Sequence, residues 1–135
     1  MDKHRRARME SLIREELSVV VSREVKDPRI PAVTFTEVSL TEDGRQATIF
    51  LLPFHTGALD PDATPTESEE AAAQREMKDC LEGLRSASGF LRRHLAKVLS
   101  VRHVPELVFK KDAGLENSMR VHQLLKKLDS ERKSE

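Results

Sequence analysis

Val33-Thr34-Phe35-Thr36-Glu37-Val38-Ser39-Leu40, then Thr41-Glu42-Asp43-Gly44-Arg45, then Gln46-Ala47-Thr48-Ile49-Phe50-Leu51-Leu52: the fold turns on these twenty residues. Both outer runs are rich in β-branched and aromatic residues, the composition of strands. The Asp43-Gly44 pair between them tolerates positive φ, so the two strands form a hairpin. Glu42 and Asp43 have the spacing of a carboxylate pair, but turn chemistry accounts for both.

Upstream of the hairpin, Met9, Leu12, Ile13, Leu17, Val20, Val21 and Val25 repeat every three or four residues and predict an amphipathic first helix. Asp27-Pro28 ends it, because proline disfavours helical geometry in the residue before it, and Pro31 keeps the chain extended. Downstream, Pro53, Gly57, Pro61 and Pro65 punctuate an acidic loop without periodicity. Thr64-Pro65-Thr66-Glu67 then reads as a capping box opening a second helix, with Thr64 as the cap. Its apolar face is Ala73, Met77, Cys80, Leu81, Leu84 and Ala87, resuming as Leu91, Leu95, Val98 and Leu99. Ser86-Ala87-Ser88-Gly89 is the expected kink or tight turn between two helices, since glycine costs about 1 kcal/mol against alanine in a helix interior. Gly83 is read as merely tolerated.

Val101–Lys110 is a short apolar run read as a third strand, and Asp112 a cap for the segment after it. Leu115, Met119, Val121, Leu124, Leu125 and Leu128 have helical spacing, and the polar stretch from Asp129 to Glu135 is expected to fray. The fold class is therefore α+β, in the order α-β-β-α-kink-α-β. Residues 1–110 form the folded domain and residues 111–135 a C-terminal helical extension.

The 135 residues suffice for one domain. Aromatic content is 4%, with no Tyr or Trp, so the core must be aliphatic and no stacking platform for unpaired bases is available. The single cysteine, Cys80, excludes an intramolecular disulfide and a thiolate metal cluster and suits a reducing cytoplasm. None of the five histidines shares a ligand spacing with another, and His94 with Cys80 is a weak base–nucleophile pair because a cysteine on an apolar face belongs to the core. There is no phosphate loop, nucleophile elbow or dinucleotide fingerprint. No catalytic residue, metal or cofactor is expected, and neither a signal sequence nor an 18-residue apolar run suggests a membrane.

Twenty-three basic and 23 acidic side chains cancel to a net charge of zero, but not evenly. Residues 1–30 carry 8 basic and 6 acidic groups, residues 31–84 carry 3 and 11, and residues 85–135 carry 12 and 6. The base therefore flanks the expected kink, as Arg85, Arg92, Arg93, Lys97 and Arg102. A second group, Lys3, Arg5, Arg6 and Arg8, opposes the dipole of the first helix and so gains nothing structurally there. Small residues at Ser86, Ala87, Ser88 and Gly89 leave room for a polyanion's backbone near the amides of a following helix. These thirteen residues are the candidate RNA-binding site.

Glu24-Val25-Lys26-Asp27-Pro28-Arg29-Ile30, Val33–Val38, Gly89-Phe90-Leu91-Arg92, Pro105–Phe109 and the tail from Leu115-Glu116-Asn117-Ser118-Met119-Arg120 to Leu125 together resemble the ribosome-binding factor A family. The resemblance runs from about Arg5 to Leu128. It implies a type II KH fold in which Ala87-Ser88-Gly89 stands where ordinary KH domains carry a Gly-x-x-Gly nucleotide clamp. It also implies a cytoplasmic, monomeric, non-enzymatic assembly factor that binds the free small (30S) ribosomal subunit and its 16S rRNA. Late maturation, processing of the RNA's 5′ end and cold adaptation belong to the same implication. The acidic loop 55–66 departs from the family and receives no role. A helix-turn-helix reader of duplex DNA, with helices either side of Gly89, and a protein-interaction module without RNA contact remain as alternatives.

Overall fold

The computed structural model describes residues 2–53 and 66–133. Helix α1 spans Lys3–Glu24, strands β1 and β2 span Val33–Leu40 and Gln46–Pro53, helix α2 spans Glu67–Leu99, strand β3 spans Glu106–Lys111 and helix α3 spans Ala113–Lys133. The strands form one sheet in the order β1-β2-β3, with β1 antiparallel and β3 parallel to the central β2. The architecture is α+β.

The hairpin turn is built as its residue types require. Gly44 takes a φ of 71°, and Asp43 accepts hydrogen bonds from the Thr41 hydroxyl and the Arg45 amide. The pairing of β1 with β2 slips between Phe35 and Glu37, a β-bulge at Thr36. Strict alternation would place Phe35 and Val38 on opposite faces; the extra residue lets both join Leu40 in the core.

One face of the sheet, carrying Phe35, Val38, Leu40, Ala47, Ile49, Leu51, Leu107 and Phe109, packs against Ile13, Leu17 and Val20 of α1 and Cys80, Leu84, Leu91 and Leu95 of α2. Each such side chain contributes about 1.5–3 kcal/mol on burial. The core is aliphatic apart from two phenylalanines and one cysteine.

The structure corrects three expectations about where elements begin and end. Helix α2 is continuous, so no turn separates two helices at residues 86–89 and the two-helix reading falls. Cys80, Leu84, Leu91 and Leu95 stay in phase across Gly89, so one face docks on the sheet through the whole helix; that packing and one backbone hydrogen bond per residue outweigh glycine's cost. The capping box lies two residues later than read: Thr66 accepts from the Glu69 amide and Glu69 reaches back to the Thr66 amide. This frame places Glu67, Glu69 and Glu70 together in the first turn, at the positive end of the helix dipole. Strand β3 begins at Glu106 rather than Val101, because Pro105 has no amide to donate and the ladder opens with the Glu106 amide on the Arg45 carbonyl.

The two glycines of α2 exchange roles. A Cβ on Gly83 would stand 2.7 Å from Ile30 Cγ1, so the close approach of the Pro28–Pro31 linker requires glycine there. A Cβ on Gly89 would meet nothing within 4 Å.

Candidate nucleic-acid interface

Helices α1 and α2 pack antiparallel. His94 Nε2 lies 3.0 Å from Glu16 Oε2, whereas Gly83, eleven residues earlier in α2, meets Arg29 and Ile30 beyond the end of α1. The start of α1 and the end of α2 therefore share one end of the molecule. At 1.5 Å per residue, Arg5 lies about 16 Å along α1 from Glu16, and Lys97 about 5 Å along α2 from His94 in the same direction. Lys3, Arg5, Arg6 and Arg8 therefore share one pole with Arg92, Arg93 and Lys97, whereas Arg85, two residues after Gly83 and about 14 Å before His94, lies toward the opposite end.

Within α2, Arg85, Gly89, Arg93 and Lys97 follow at four-residue steps, with Arg92 beside Arg93, and all are exposed, away from the buried stripe of Leu84, Leu91 and Leu95. Ser86 and Arg102 are exposed too, and on α1 Lys3, Arg5 and Arg8 are exposed while Arg6 is half-buried. Ala87 packs against the core and Ser88 is half-buried, so only Ser86 and Gly89 of the four small residues face outward.

The continuous helix changes the chemistry on offer. Amides at residues 86–93 are already bonded four residues back, so no helix start presents free N–H groups to a phosphate. Attraction must come from side chains. Among the described residues the ion pairs are Arg29–Asp27, Arg45–Asp43, Lys111–Glu116 and His94–Glu16, and none draws on either basic group. Arg92 alone is tied down, donating through Nη2 to the Val104 carbonyl at 3.1 Å and holding the segment that enters β3.

The first half of α2 is the counterpart. Glu67, Glu69, Glu70, Glu76, Asp79 and Glu82 precede the cations on a helix about 50 Å long. A shallow cleft lined by Pro28, Arg29, Pro31, Ala72, Arg75, Glu76 and Asp79 lies at this acidic end. Its Arg29 is held by Nε and Nη2 on Asp27, whose carboxyl this bond keeps below the usual range.

Sequence reading did not find the Glu16–His94 pair, since its members are 78 residues apart and only the tertiary packing joins them. His94 is thereby committed to Glu16 and not to Cys80, which is fully buried with its thiol pushed up to about 11 by desolvation. The helix-turn-helix alternative falls with the missing turn at residues 86–89. No helix among the described residues is long and apolar enough to cross a membrane.

Comparison with known proteins agrees with this architecture. A ribosome-binding factor A from Thermomicrobium roseum is 36% identical over 98% of this chain and 89% of its own length. The solution structure of a Thermotoga maritima protein described as a putative ribosome binding factor A is similar at 29% identity and a TM-score of 0.62, covering 84% of this chain and 92% of that one. A Thermus thermophilus ribosome binding factor A model, fitted into a cryo-EM map of its complex with the 30S subunit, covers 82% of this chain and 93% of its own at 24% identity and a TM-score of 0.50. The family model described as ribosome-binding factor A matches residues 5–125, which takes in both basic groups apart from Lys3, the whole sheet and the start of α3. With fold, length and pattern in agreement from the first helix to the last, the chain belongs to the ribosome-binding factor A family.

Proposed function

We propose that this protein is a non-enzymatic assembly factor that docks on the free small ribosomal subunit and binds its 16S rRNA. The observation that carries the reading is the single pole of unpaired cations formed by Lys3, Arg5 and Arg8 with Arg93, Lys97 and Arg102. Membership of a family of ribosome-binding factors, and a relative fitted on the 30S subunit, supply the target. Residues 1–110 serve as the RNA-binding domain and residues 111–135 as an extension. The cations bind phosphates of folded rRNA, and binding that is tighter to one conformer of a maturing region shifts the subunit toward it. Late maturation and 5′-end processing follow from that shift, with no covalent step and no cofactor.

The test is co-sedimentation with purified small subunits across a salt series. Affinity falls as salt rises, and each phosphate contact removed lowers the log–log slope by about 0.7–0.9. Arg93→Ala, Lys97→Ala and Arg102→Ala together are expected to weaken binding at least tenfold and flatten the slope by about two. Arg92 is left in place because its bond to Val104 is structural. Unchanged affinity and slope would refute the site.

A further inference from the structure

Eight large apolar side chains stand out in solvent among the described residues. Leu115, Leu124, Leu125 and Leu128 belong to α3; the other four, Leu12 (42% exposed), Val19 (49%), Phe90 (38%) and Val98 (42%), all fall on one seam. On α1, Leu12, Glu16 and Val19 are spaced four and three residues apart and form one ridge. On α2, Phe90, His94 and Val98 form another at steps of four. The Glu16–His94 pair ties the ridges together at 3.0 Å, and because the helices are antiparallel, Leu12 lies toward Val98 and Val19 toward Phe90.

Singly, exposed apolar residues are ordinary. Here they make two apolar stations about 10–12 Å apart along a groove, the interval between i and i+7 anchors of an amphipathic helix. The rim is mostly basic: Arg5, Arg8 and Arg23 extend the α1 ridge and Arg93 and Lys97 border that of α2, all exposed, against Glu15 on α1 and Glu82 on α2. We propose that the α1–α2 seam is a docking groove for an amphipathic helix of a partner protein, with an apolar stripe and acidic flanks.

Other occupants fit the groove less well. A phosphate backbone gains nothing from Leu12, Val19 and Val98, and Phe90 alone could stack on a base. Helix α3 carries five basic and three acidic residues, which would set like charges against the rim whether it came from this chain or a second copy. It is also rooted at the far end of the sheet, where the Asp112 amide bonds the Leu51 carbonyl. Since Arg5, Arg8, Arg93 and Lys97 are shared with the rRNA surface, the partner helix and rRNA compete, and docking of the helix releases the RNA.

The experiment titrates the isotope-labelled full chain with a synthetic peptide of about 18 residues that repeats leucines at three- and four-residue steps between glutamates. Controls are its lysine-flanked twin and a scrambled peptide of the same composition. Expected are amide shifts centred on residues 12–19 and 90–98, and binding at least tenfold weaker for both controls. The Leu12→Ser/Val98→Ser variant, with unchanged circular dichroism, is expected to lose at least tenfold in peptide affinity while retaining small-subunit binding. Absence of binding, equal binding of the lysine twin, or shifts centred on α3 would overturn the proposal. So would loss of subunit binding in the variant, which would assign the seam to RNA, or self-association of the wild type that the variant abolishes, which would assign it to a second copy. Peptide binding is read without RNA, so it stands or fails separately from the rRNA site.

Discussion

Gly83 and Gly89 differ by six residues and by the sign of their effect. An added methyl at Gly83 meets Ile30 Cγ1 at 2.7 Å, and the linker must shift. Gly83→Ala is expected to lose about 1–2 kcal/mol, overpacking outweighing helix propensity, whereas Gly89→Ala gains up to about 1 kcal/mol because its methyl enters open space. Urea midpoints decide both, and a stabilised Gly83→Ala would show that the linker is not held by this approach. Cys80 offers a second check. With its thiol raised by burial to about 11, it is expected to resist an alkylating reagent at pH 8 in the native protein and to react once urea unfolds the chain. Asp112 offers a third. The Thr36 hydroxyl, foremost, and the Leu115 amide hold its carboxyl below the usual value, as Arg29 does for Asp27. A lowered folded-state value means stability that is present above the ordinary carboxylate range and lost as pH falls through the folded-state value. Acid titration followed by circular dichroism is therefore expected to show unfolding below about pH 4, with a shallower acid limb in Asp112→Asn.

Among the elements, α3 is held at its root and little elsewhere. Asp112 caps it through the Leu115 amide at 2.9 Å, Lys111 pairs with Glu116 at 2.7 Å, and among the described residues no other element packs extensively against it. Asp112→Ala is expected to cost the first turn about 1 kcal/mol, read as faster hydrogen exchange at residues 114–118 with the sheet unaffected. The hairpin, α1 and the existence of α2 and α3 were legible in sequence because periodicity, Asp-Gly and Asp-Pro act over a few residues. The continuity of α2 was not: Gly89 carries a local penalty, while the in-phase burial of Leu84, Leu91 and Leu95 that offsets it depends on a sheet assembled from elsewhere. The Thr36 bulge was hidden for a similar reason, since only the shared core shows that Phe35 and Val38 belong on one face. Of the candidate site, the residue types were legible and the surface was not. Ala87 and Arg6 turn toward the body, and the Glu16–His94 pair that aligns the two basic groups spans 78 residues.

On the scale of the whole molecule, zero net charge describes neither end. Cations gather where α1 starts and α2 finishes, and carboxylates where α2 begins, an arrangement that also favours each end of α2. A rod about 50 Å long with opposite signs at its tips experiences a torque near a polyanion. It turns before it touches, presenting the cationic tip to the polyanion and the carboxylates to solvent. The search over orientations is thereby shortened, so that productive encounters outnumber those of a uniformly neutral particle of the same size. Long stays on the wrong face become rare, because the acidic tip is pushed away as firmly as the basic one is drawn in.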